Sequence, residues 1–247
     1  MTASTEALAG WRALVSGASS GIGLATALVL HDRGATVHAL ARRRAAMEAG
    51  AGEERLAGGR FHVHAVDVTD AAAVGALADL EESLDVLVAA AGVNIPRRRL
   101  HELTPESWDG LVATNLSGVY YLVGALLPAL RAARGRVIIV GSVSGAWPDV
   151  SGPAYQAAKA GALAFARGAS LEERERGVTF TCVMPGVVDT AILDNRPEPP
   201  TPEQRAAMLQ AEDVAAACVF AAGLPGRAYI PELTILPAGV QALGATS

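Results

Sequence analysis

The sequence has little cysteine, little charge and no long hydrophobic run, and each shortage excludes a class of protein. Cys182 and Cys218 are the only cysteines among 247 residues and lack a C-x-x-C spacing, so we expect two buried thiols and a reducing, cytoplasmic location. A net charge of −5 argues against a nucleic-acid partner or an anionic-membrane surface. No apolar run reaches the roughly 18 residues that a membrane span needs. The N-terminus also lacks the basic start and apolar segment of a signal peptide.

Strand and helix patterns alternate along the whole chain, and 51% of its residues are hydrophobic, which is enough for a large core. The predicted strands are 12–16, 36–40, 61–66, 84–90, 136–142, 178–184 and 229–236, and the predicted helices are 22–33, 70–82, 104–131, 151–176 and 211–222. This order predicts an α/β fold, a single doubly wound, Rossmann-type parallel sheet of about seven strands with helices on both faces. We expect one domain over residues 1–247, with a tail at 1–10 and a mobile flap at 191–203.

The first predicted strand ends in Ser-Gly-Ala-Ser-Ser-Gly-Ile-Gly, residues 16–23. Gly17, Gly21 and Gly23 would permit a tight turn and a close approach of the backbone to a pyrophosphate. The N-terminus of the following helix would offer unpaired N–H groups to the same anion. The stretch predicts a dinucleotide site, and an ordinary Gly-rich turn is the alternative interpretation.

A second candidate site is the pair Tyr155 and Lys159, which lie one helical turn apart on the same face. A cation beside a phenol favours the phenolate and lowers the phenol pKa from its usual value of about 10. The pair would then suit general acid/base catalysis. The spacing alone is a weak signal, because most such pairs are a packed ring beside a solvated amine.

The predicted strands end in residues that could bind a ligand together. These residues are Gly17, Ala41, Arg42, Asp67, Gly92, Ser142 and Pro185. Ligands of doubly wound sheets bind beyond the carboxyl ends of the strands. We therefore expect these positions to line one crevice.

In these motifs the chain resembles the short-chain dehydrogenases/reductases in their form of about 250 residues, and the likeness extends from Leu14 to about Leu236. Residues 16–23 are similar to that family's cofactor motif. Pro185 and Gly186, followed by Thr190, are similar to its nicotinamide motif. Its catalytic tetrad has counterparts at Asn115, Ser142, Tyr155 and Lys159.

The resemblance implies hydride transfer between NADP(H) and a small or medium ketone, aldehyde or secondary alcohol. Tyr155 would be the general acid/base, and Lys159 would lower its pKa and bind the nicotinamide ribose. Ser142 would polarise the substrate oxygen, and Asn115 would anchor a water in a proton relay. The implied cofactor residues are Gly17, Ser19, Ser20, Gly21, Ile22, Gly23, Arg42, Arg43, Asp67, Val68, Ala91, Gly92, Tyr155, Lys159, Pro185, Gly186, Val188 and Thr190.

The choice of nicotinamide depends on the residues after the second strand. An acidic residue there would accept hydrogen bonds from the adenosine ribose of NAD. Ala41 occupies that place and is followed by Arg42 and Arg43. An arginine can bind a 2′-phosphate through two hydrogen bonds, so we predict NADP(H) over NAD(H), with Arg42 as the main contact and Arg43 as the helper.

The chain departs from the family after the fourth strand, where it reads Ala89-Ala90-Ala91-Gly92 in place of an asparagine-containing motif. We expect weaker cofactor affinity or a looser strand end there, with the chemistry intact. Residues 231–237 give a faint similarity to a subgroup that includes serine 3-dehydrogenase-like and clavulanic-aldehyde-reducing enzymes.

The substrate pocket should be mainly apolar. Its candidate residues are Val93, Asn94, Ile95, Val143, Trp147, Val187 and Leu193. The three arginines of residues 97–99 are expected to be solvated, with binding of an acidic substrate as the alternative. His62 and His64 lack a third ligand nearby, so no metal site is predicted.

Two other functions remain open at this stage. A non-catalytic nicotinamide-binding sensor would use the same fold, and an NAD-dependent epimerase or dehydratase would also use a Tyr-x-x-x-Lys pair. The resemblance implies a homo-oligomer, a tetramer built on helices near residues 111–130 and 157–171. The sequence leaves the substrate, the reaction direction and the stereochemistry open.

Overall fold

The computed structural model describes residues 8–241 and residue 243. Its strands are β1 (Arg12–Ser16), β2 (Thr36–Ala41), β3 (Phe61–Ala65), β4 (Val86–Ala89), β5 (Arg136–Val140), β6 (Thr179–Pro185) and β7 (Glu232–Ile235). They form one parallel sheet of seven strands in the order β3-β2-β1-β4-β5-β6-β7. The predicted Rossmann-type sheet is confirmed.

Helices cover both faces of this sheet. They are α1 (Gly21–Asp32), α2 (Arg44–Ala51), α3 (Glu53–Ala57), α4 (Ala71–Gly75), α5 (Pro105–Val112), α6 (Gly118–Ala133), α7 (Pro153–Glu173), α8 (Pro202–Ala206) and α9 (Ala211–Ala222). Short 3₁₀ segments occur at Ala76–Asp79, Leu100–Glu102, Val143–Gly145, Arg174–Arg176 and Ala191–Asn195, and a π-helical segment at Ala113–Ser117.

The strands are apolar on both faces because each face packs on a helical layer. Val15 and Val88 belong to a core that also contains buried residues of α1 and α9. Their neighbours Leu14 and Leu87 point the other way, into a second core with buried residues of α6 and α7. Side chains alternate along a strand, so one continuous apolar run supplies both cores.

Several predicted strands begin before the observed ones, because a segment forms a strand only where it hydrogen-bonds to a neighbouring strand. β4 was predicted to begin at Leu84, which is buried but donates its N–H to Ala129 O, outside the sheet ladder. β7 was predicted to begin at Tyr229 and begins at Glu232, where pairing with Cys182 of β6 starts. Hydrophobicity alone therefore overestimates these strands.

The helix predicted for residues 104 to about 131 ends close to the predicted residue, at Ala133, but it is interrupted and Pro128 does not end it. A π-helical turn at Ala113–Ser117 separates α5 from α6, and α6 continues past Pro128 to Ala133. Pro128 and Gly124 lie on the exposed side, where the Gly124 carbonyl that proline leaves unbonded can reach water. The helix predicted for 70–82 is also shorter, since α4 ends at Gly75 and a 3₁₀ turn follows.

One helical stretch, Pro105–Ala133, is long and apolar enough to cross a membrane, with a mean hydropathy of 1.5 over its most apolar window. Leu122, Leu126 and Leu130 on this stretch are buried in the core against the sheet. The stretch thus has a place in the packed core of the domain.

The predicted tail at 1–10 lies largely outside the described residues. The part that is described is packed: Leu8 is buried and donates its N–H to Arg33 O at 2.9 Å. The tail assignment is therefore wrong for Leu8, and Ala9 and Gly10 are exposed.

Candidate active site

An open cleft of about 410 Å³ lies beyond the carboxyl ends of the central strands, a size typical of small-molecule sites. All of the predicted cofactor residues line it, and so do Ser142, Tyr155 and Lys159. Asn115 is the one predicted site residue that lies behind the cleft wall, where it is fully buried. The structure confirms that the strand ends line one cleft, as expected.

The glycine turn packs directly on the end of β4. Gly17 has φ +70°, and a Cβ there would lie 2.8 Å from Ala90 O and from Ala91 Cα. A Cβ on Gly23 would lie 2.5 Å from Gly17 O. Ser20 precedes α1 without a side-chain cap, so the first N–H groups of α1 are left to face the cleft. This arrangement suits a phosphate.

Gly17→Ala should lower the free energy of unfolding by at least about 2 kcal/mol, since a left-handed residue with a Cβ costs about 1–2 kcal/mol before any clash is counted. Urea unfolding measures the change. Gly168→Ala is the control, because a Cβ at Gly168 in α7 meets no atom within 4 Å. The control should be neutral or stabilising by up to about 1 kcal/mol. Equal stability of the two variants would contradict the packing argument.

Ser16 is a structural residue that sequence reasoning missed. Its buried Oγ accepts hydrogen bonds from Ala90 N at 3.1 Å and from Ala91 N at 3.2 Å. These bonds hold the backbone after β4, where the family's asparagine is absent. Of the two expectations for this position, these bonds argue against a looser strand end, and weaker cofactor affinity stays a prediction. The signal was present in the sequence as a serine at the last position of β1.

Asn115 lies in the π-helical turn and ties it to the loop after β4. Its Nδ2 donates to Val93 O at 3.0 Å and to Leu111 O at 2.9 Å, and Val93 N donates to its Oδ1 at 3.2 Å. A Cβ on Gly92 would lie 3.1 Å from that Oδ1 and 3.5 Å from Lys159 Nζ. Gly92 thus lets Asn115 and Lys159 approach each other behind the cleft wall.

Ser142 begins a chain of hydroxyl hydrogen bonds. Its Oγ donates to Ser144 Oγ at 3.0 Å, and Ser144 Oγ donates to Asp149. Ser151 N donates to the other Asp149 oxygen at 2.8 Å. Ser144, Asp149 and Ser151 line the cleft and were missed by sequence reasoning.

Tyr155 and Lys159 project from the first two turns of α7, where Lys159 is buried and Tyr155 is half-buried at the wall of the cleft. Lys159 Nζ lies 5.7 Å from the centroid of the Tyr155 ring and donates to Val140 O at 2.8 Å. Burial raises the pKa of Tyr155 to about 12, and interaction with Ser142 opposes that rise. Burial lowers the pKa of Lys159 to about 8.

The expected net lowering of the Tyr155 pKa is absent in the polypeptide on its own, and a contribution of Lys159 to that pKa stays a prediction. Desolvation acts against the phenolate more strongly than any nearby charge acts for it. The Lys159 ammonium is itself desolvated and is engaged by a backbone carbonyl. The chain therefore keeps the phenol protonated and lowers the pKa of the amine toward neutral pH, where the amine is still mostly protonated.

Lys159 should make stability depend on pH. Its folded pKa of about 8 is below the usual 10.5, so between these values the unfolded chain binds more protons and the free energy of unfolding rises with pH. From pH 8 to 9, wild type should gain about 1 kcal/mol relative to Lys159→Met. The buried thiols and Tyr155, whose pKa values are raised, lower stability as pH rises, but they do so in both proteins and cancel in this comparison. Urea unfolding of both proteins measures it, and parallel pH curves would contradict the assignment.

Two arginines stand at the other end of the cleft. Arg43 Nη2 donates to Ser19 Oγ at 3.0 Å, beside the glycine turn. The Arg42 side chain is 70% exposed, and its Nη1 lies 4.0 Å from Asp67 Oδ2. Both guanidinium groups are therefore within reach of a ligand on the glycine turn.

The substrate end is more polar than predicted. Val93, Asn94, Val143, Val187 and Leu193 line the cleft as expected. Ile95 and Trp147 do not line it, and Arg98, Asp149 and Arg196 do. Arg98 was expected to be solvated but is only 7% exposed, whereas Arg97 and Arg99 are exposed. The predicted flap contributes 191–193, Asn195 and Arg196 to the cleft, and its mobility stays a prediction.

Comparison with known proteins identifies the family to which this chain belongs. The family model described as short chain dehydrogenase matches residues 12–200. The chain belongs to the short-chain dehydrogenase family. It is an oxidoreductase of that family, and the predicted resemblance is confirmed.

Individual family members are similar over most of their length. A cis-4-hydroxycyclohexanecarboxylate dehydrogenase of Sinomonas cyclohexanicum is 38% identical over 198 residues, which cover 78% of this chain and 79% of that protein. A metagenomic short-chain oxidoreductase solved with NADP is 32% identical, with a TM-score of 0.79 and coverage of 93% and 98%. A serine dehydrogenase solved with NADP+ is 27% identical, with a TM-score of 0.81 and coverage of 95% and 98%.

Metal binding has no visible site in the described part of the chain. Among residues 8–241, no group of three or more His, Cys, Asp or Glu side chains could hold an ion. His38 and His64 instead share a hydrogen bond of 3.0 Å between ring nitrogens, and His38 also contacts Glu81 at 3.1 Å. These contacts do not test the prediction that the protein binds no metal, which stays a prediction.

Proposed function

We propose that this oxidoreductase transfers a hydride between NADP(H) and a small or medium ketone, aldehyde or secondary alcohol. The observation that carries the proposal is the meeting of Tyr155, Lys159 and Ser142 with the glycine turn in one cleft. A sensor without turnover would not need these three side chains at the mouth of a dinucleotide site.

The residues present fit a nicotinamide dinucleotide. Gly17 adopts a left-handed backbone conformation with φ +70°, and the N-terminus of α1 has no side-chain cap. Both features suit a pyrophosphate. Pro185, Gly186 and Thr190 lie across the cleft, where the proposal places the nicotinamide. When bound, this group supplies the hydride acceptor or donor, a chemistry that no protein side chain offers.

The proposed role of Tyr155 is proton exchange with the substrate oxygen. Its raised pKa keeps the hydroxyl protonated at neutral pH, so it can donate to a carbonyl oxygen in reduction. Ser142 lies close enough to act on the same phenol and would hold the substrate oxygen beside it. A protonated Lys159 would stabilise the phenolate that remains, and its lowered pKa would let it pass a proton on. Asn115 would position Lys159 and a relay water from behind Gly92.

The proposed preference of the protein for NADP(H) over NAD(H) rests on the residues at the carboxyl end of β2. Ala41 presents no carboxylate to repel a 2′-phosphate, and Arg42 and Arg43 border the cleft there. Two of the similar solved proteins bind NADP or NADP+. A guanidinium group can bind such a phosphate with two parallel hydrogen bonds.

A carbonyl panel tests the proposal directly. Purified protein should oxidise NADPH faster than NADH with at least one ketone or aldehyde, as measured by the loss of nicotinamide absorbance. Fluorescence titration measures NADPH binding in parallel. NADPH binding without turnover across linear, cyclic and aromatic carbonyls would favour the sensor alternative and would contradict the proposal.

We also propose a cytoplasmic homo-oligomer, with a tetramer as the expected form. Tyr120 on α6 is 57% exposed and Leu171 on α7 is 65% exposed, so both helices present apolar side chains outward. The two free, buried thiols fit a reducing compartment. A scattering mass of a monomer would contradict the oligomer.

A further inference from the structure

Two arginines come together at the substrate end of the cleft. Arg98 belongs to the loop after β4, and Arg196 follows the 3₁₀ turn Ala191–Asn195. Arg98 Nη2 donates to Asn195 O at 2.7 Å, which joins the loop to the flap. Both arginines line the cleft, and burial lowers the pKa of Arg98, with the positive charge of Arg196 lowering it further. Like charges held this close disfavour each other unless an anion lies with them.

Arg98 is buried, and its guanidinium group lacks part of its hydrogen bonds. Only 7% of the residue is exposed, and its Nε has no hydrogen-bond partner among the described residues. Within the same part of the chain, no carboxylate lies within 4.0 Å of Arg98 or Arg196. A buried guanidinium is costly without a counter-ion and a full set of acceptors.

Asp149 does not supply that counter-ion by contact. Its two carboxylate oxygens accept hydrogen bonds from Ser144 Oγ and Ser151 N. Its charge acts on Arg98 and Arg196 only from a distance. Two positive charges and one negative charge therefore line this end of the cleft, which leaves an excess of one positive charge.

The excess charge lies close to the proposed acid/base. Gly152, with φ +91°, comes directly before α7, and Tyr155 is the third residue of that helix. A Cβ on Gly152 would lie 2.5 Å from Arg98 O and 2.9 Å from Arg98 Cβ. The backbone of Arg98 is thus pressed against the start of the helix that carries Tyr155. Its charge is near enough to act on the phenol.

We propose that the substrate is an oxo acid or hydroxy acid whose carboxylate binds Arg98 and Arg196 while its carbonyl or carbinol carbon lies beside Tyr155. This inference rests on the proposed function and narrows its substrate class. In reduction the carbonyl carbon gains the hydride of NADPH, the carbonyl oxygen gains the Tyr155 proton, and NADP+ remains. The carboxylate takes no part in the bond changes and serves to orient the substrate.

The test compares 4-oxocyclohexanecarboxylate with 4-oxocyclohexanecarboxamide, which have the same ring and ketone and differ in charge. With NADPH, kcat/KM of wild type should favour the carboxylate by at least about tenfold, the usual value of a charge-assisted contact. Arg98→Met should bring the ratio of the two kcat/KM values close to one. Arg97→Met removes the same charge from an exposed neighbour and should leave the ratio unchanged.

Arg98→Met also loses the bond to Asn195 O and can distort the loop, so a second variant and a binding measurement are needed. Arg196→Met should reduce the ratio at least threefold with the Arg98 bond intact. Calorimetry of wild type with NADP+ should show tighter binding of cyclohexanecarboxylate than of cyclohexanecarboxamide. Each of these results supports the anion site independently of the Arg98 variant.

The outcomes separate this inference from the proposed function. Equal turnover of the two ketones would overturn the inference and leave the hydride-transfer function standing. If neither ketone reacts, the calorimetry decides the inference: selective carboxylate binding supports the anion site, and equal binding overturns it. The carbonyl panel then decides the hydride-transfer function separately. A ratio that falls equally in Arg97→Met and Arg98→Met would overturn the inference, because it would indicate a general effect of net charge.

Discussion

Tyr155→Phe should lower kcat for carbonyl reduction by about 10³-fold, within the range of 10²–10⁴ that a general acid/base contributes. The substitution removes one oxygen and keeps the ring that packs in α7. Tyr155 is half-buried near Ser142, and desolvation raises the pKa of its hydroxyl, which stays protonated at neutral pH. Phenylalanine would leave the substrate oxygen without that proton donor. Steady-state kinetics with saturating NADPH and the best substrate of the carbonyl panel measure the change.

The control for this variant is Tyr120→Phe, which deletes the same oxygen from an exposed ring on α6. It should keep wild-type kcat. Fluorescence titration with NADPH separates a loss of chemistry from a loss of cofactor binding, because Tyr155 lines the cleft and is also a proposed cofactor residue. A Tyr155→Phe protein that retained a tenth or more of wild-type kcat would refute the assignment of Tyr155 as the acid/base.

Arg42→Asp should lower the ratio of kcat/KM for NADPH to kcat/KM for NADH by about 100-fold, because a charge-assisted contact is lost and a repulsive carboxylate is gained. The new carboxylate would also accept hydrogen bonds from the ribose hydroxyls of NADH. The Arg42 side chain is 70% exposed and makes only a 4.0 Å contact with Asp67, so its removal should disturb little else. Initial rates with each cofactor give the ratio.

Arg44→Asp is the matched control, because it makes the same charge change two residues further on. Arg44 pairs with Glu48 on the surface of α2 and does not border the cleft. The cofactor ratio of this control should stay within twofold of wild type. Arg43→Ala tests the predicted ranking of the two arginines, since Arg43 is the one that reaches Ser19. A larger effect at Arg43 than at Arg42 would reverse that ranking, and no effect at either would remove the basis for NADP(H).

The sheet was predictable because its physical causes are local. Apolar runs of strand length mark strands that are buried on both faces, and residues 137–140 show this pattern without interruption. Parallel strands place their carboxyl ends at one edge, so Gly17, Ser142 and Pro185 had to approach one another once the strands paired. The errors at Leu84 and Tyr229 arose where an apolar residue had no strand to pair with.

The candidate site was predictable in its members and not in its electrostatics. Spacing placed Tyr155 and Lys159 on one helical face. The directions of their pKa shifts depend on the atoms that remove water from them, and these come from distant parts of the chain. The bond from Lys159 Nζ to Val140 O spans 19 residues. No spacing rule predicts such a contact.

The sequence by itself determined the order of strands and helices, the glycine turn at the end of β1 and the residues that meet at the sheet edge, because these follow from hydrophobic period and chain direction. Only the tertiary structure decided that Arg98 is buried while Arg97 and Arg99 are exposed. That difference is produced by Gly152 and Asn195, which lie 54 and 97 residues away and close on Arg98 only after folding. Burial and charge balance are properties of packed neighbours, and a linear pattern does not contain them.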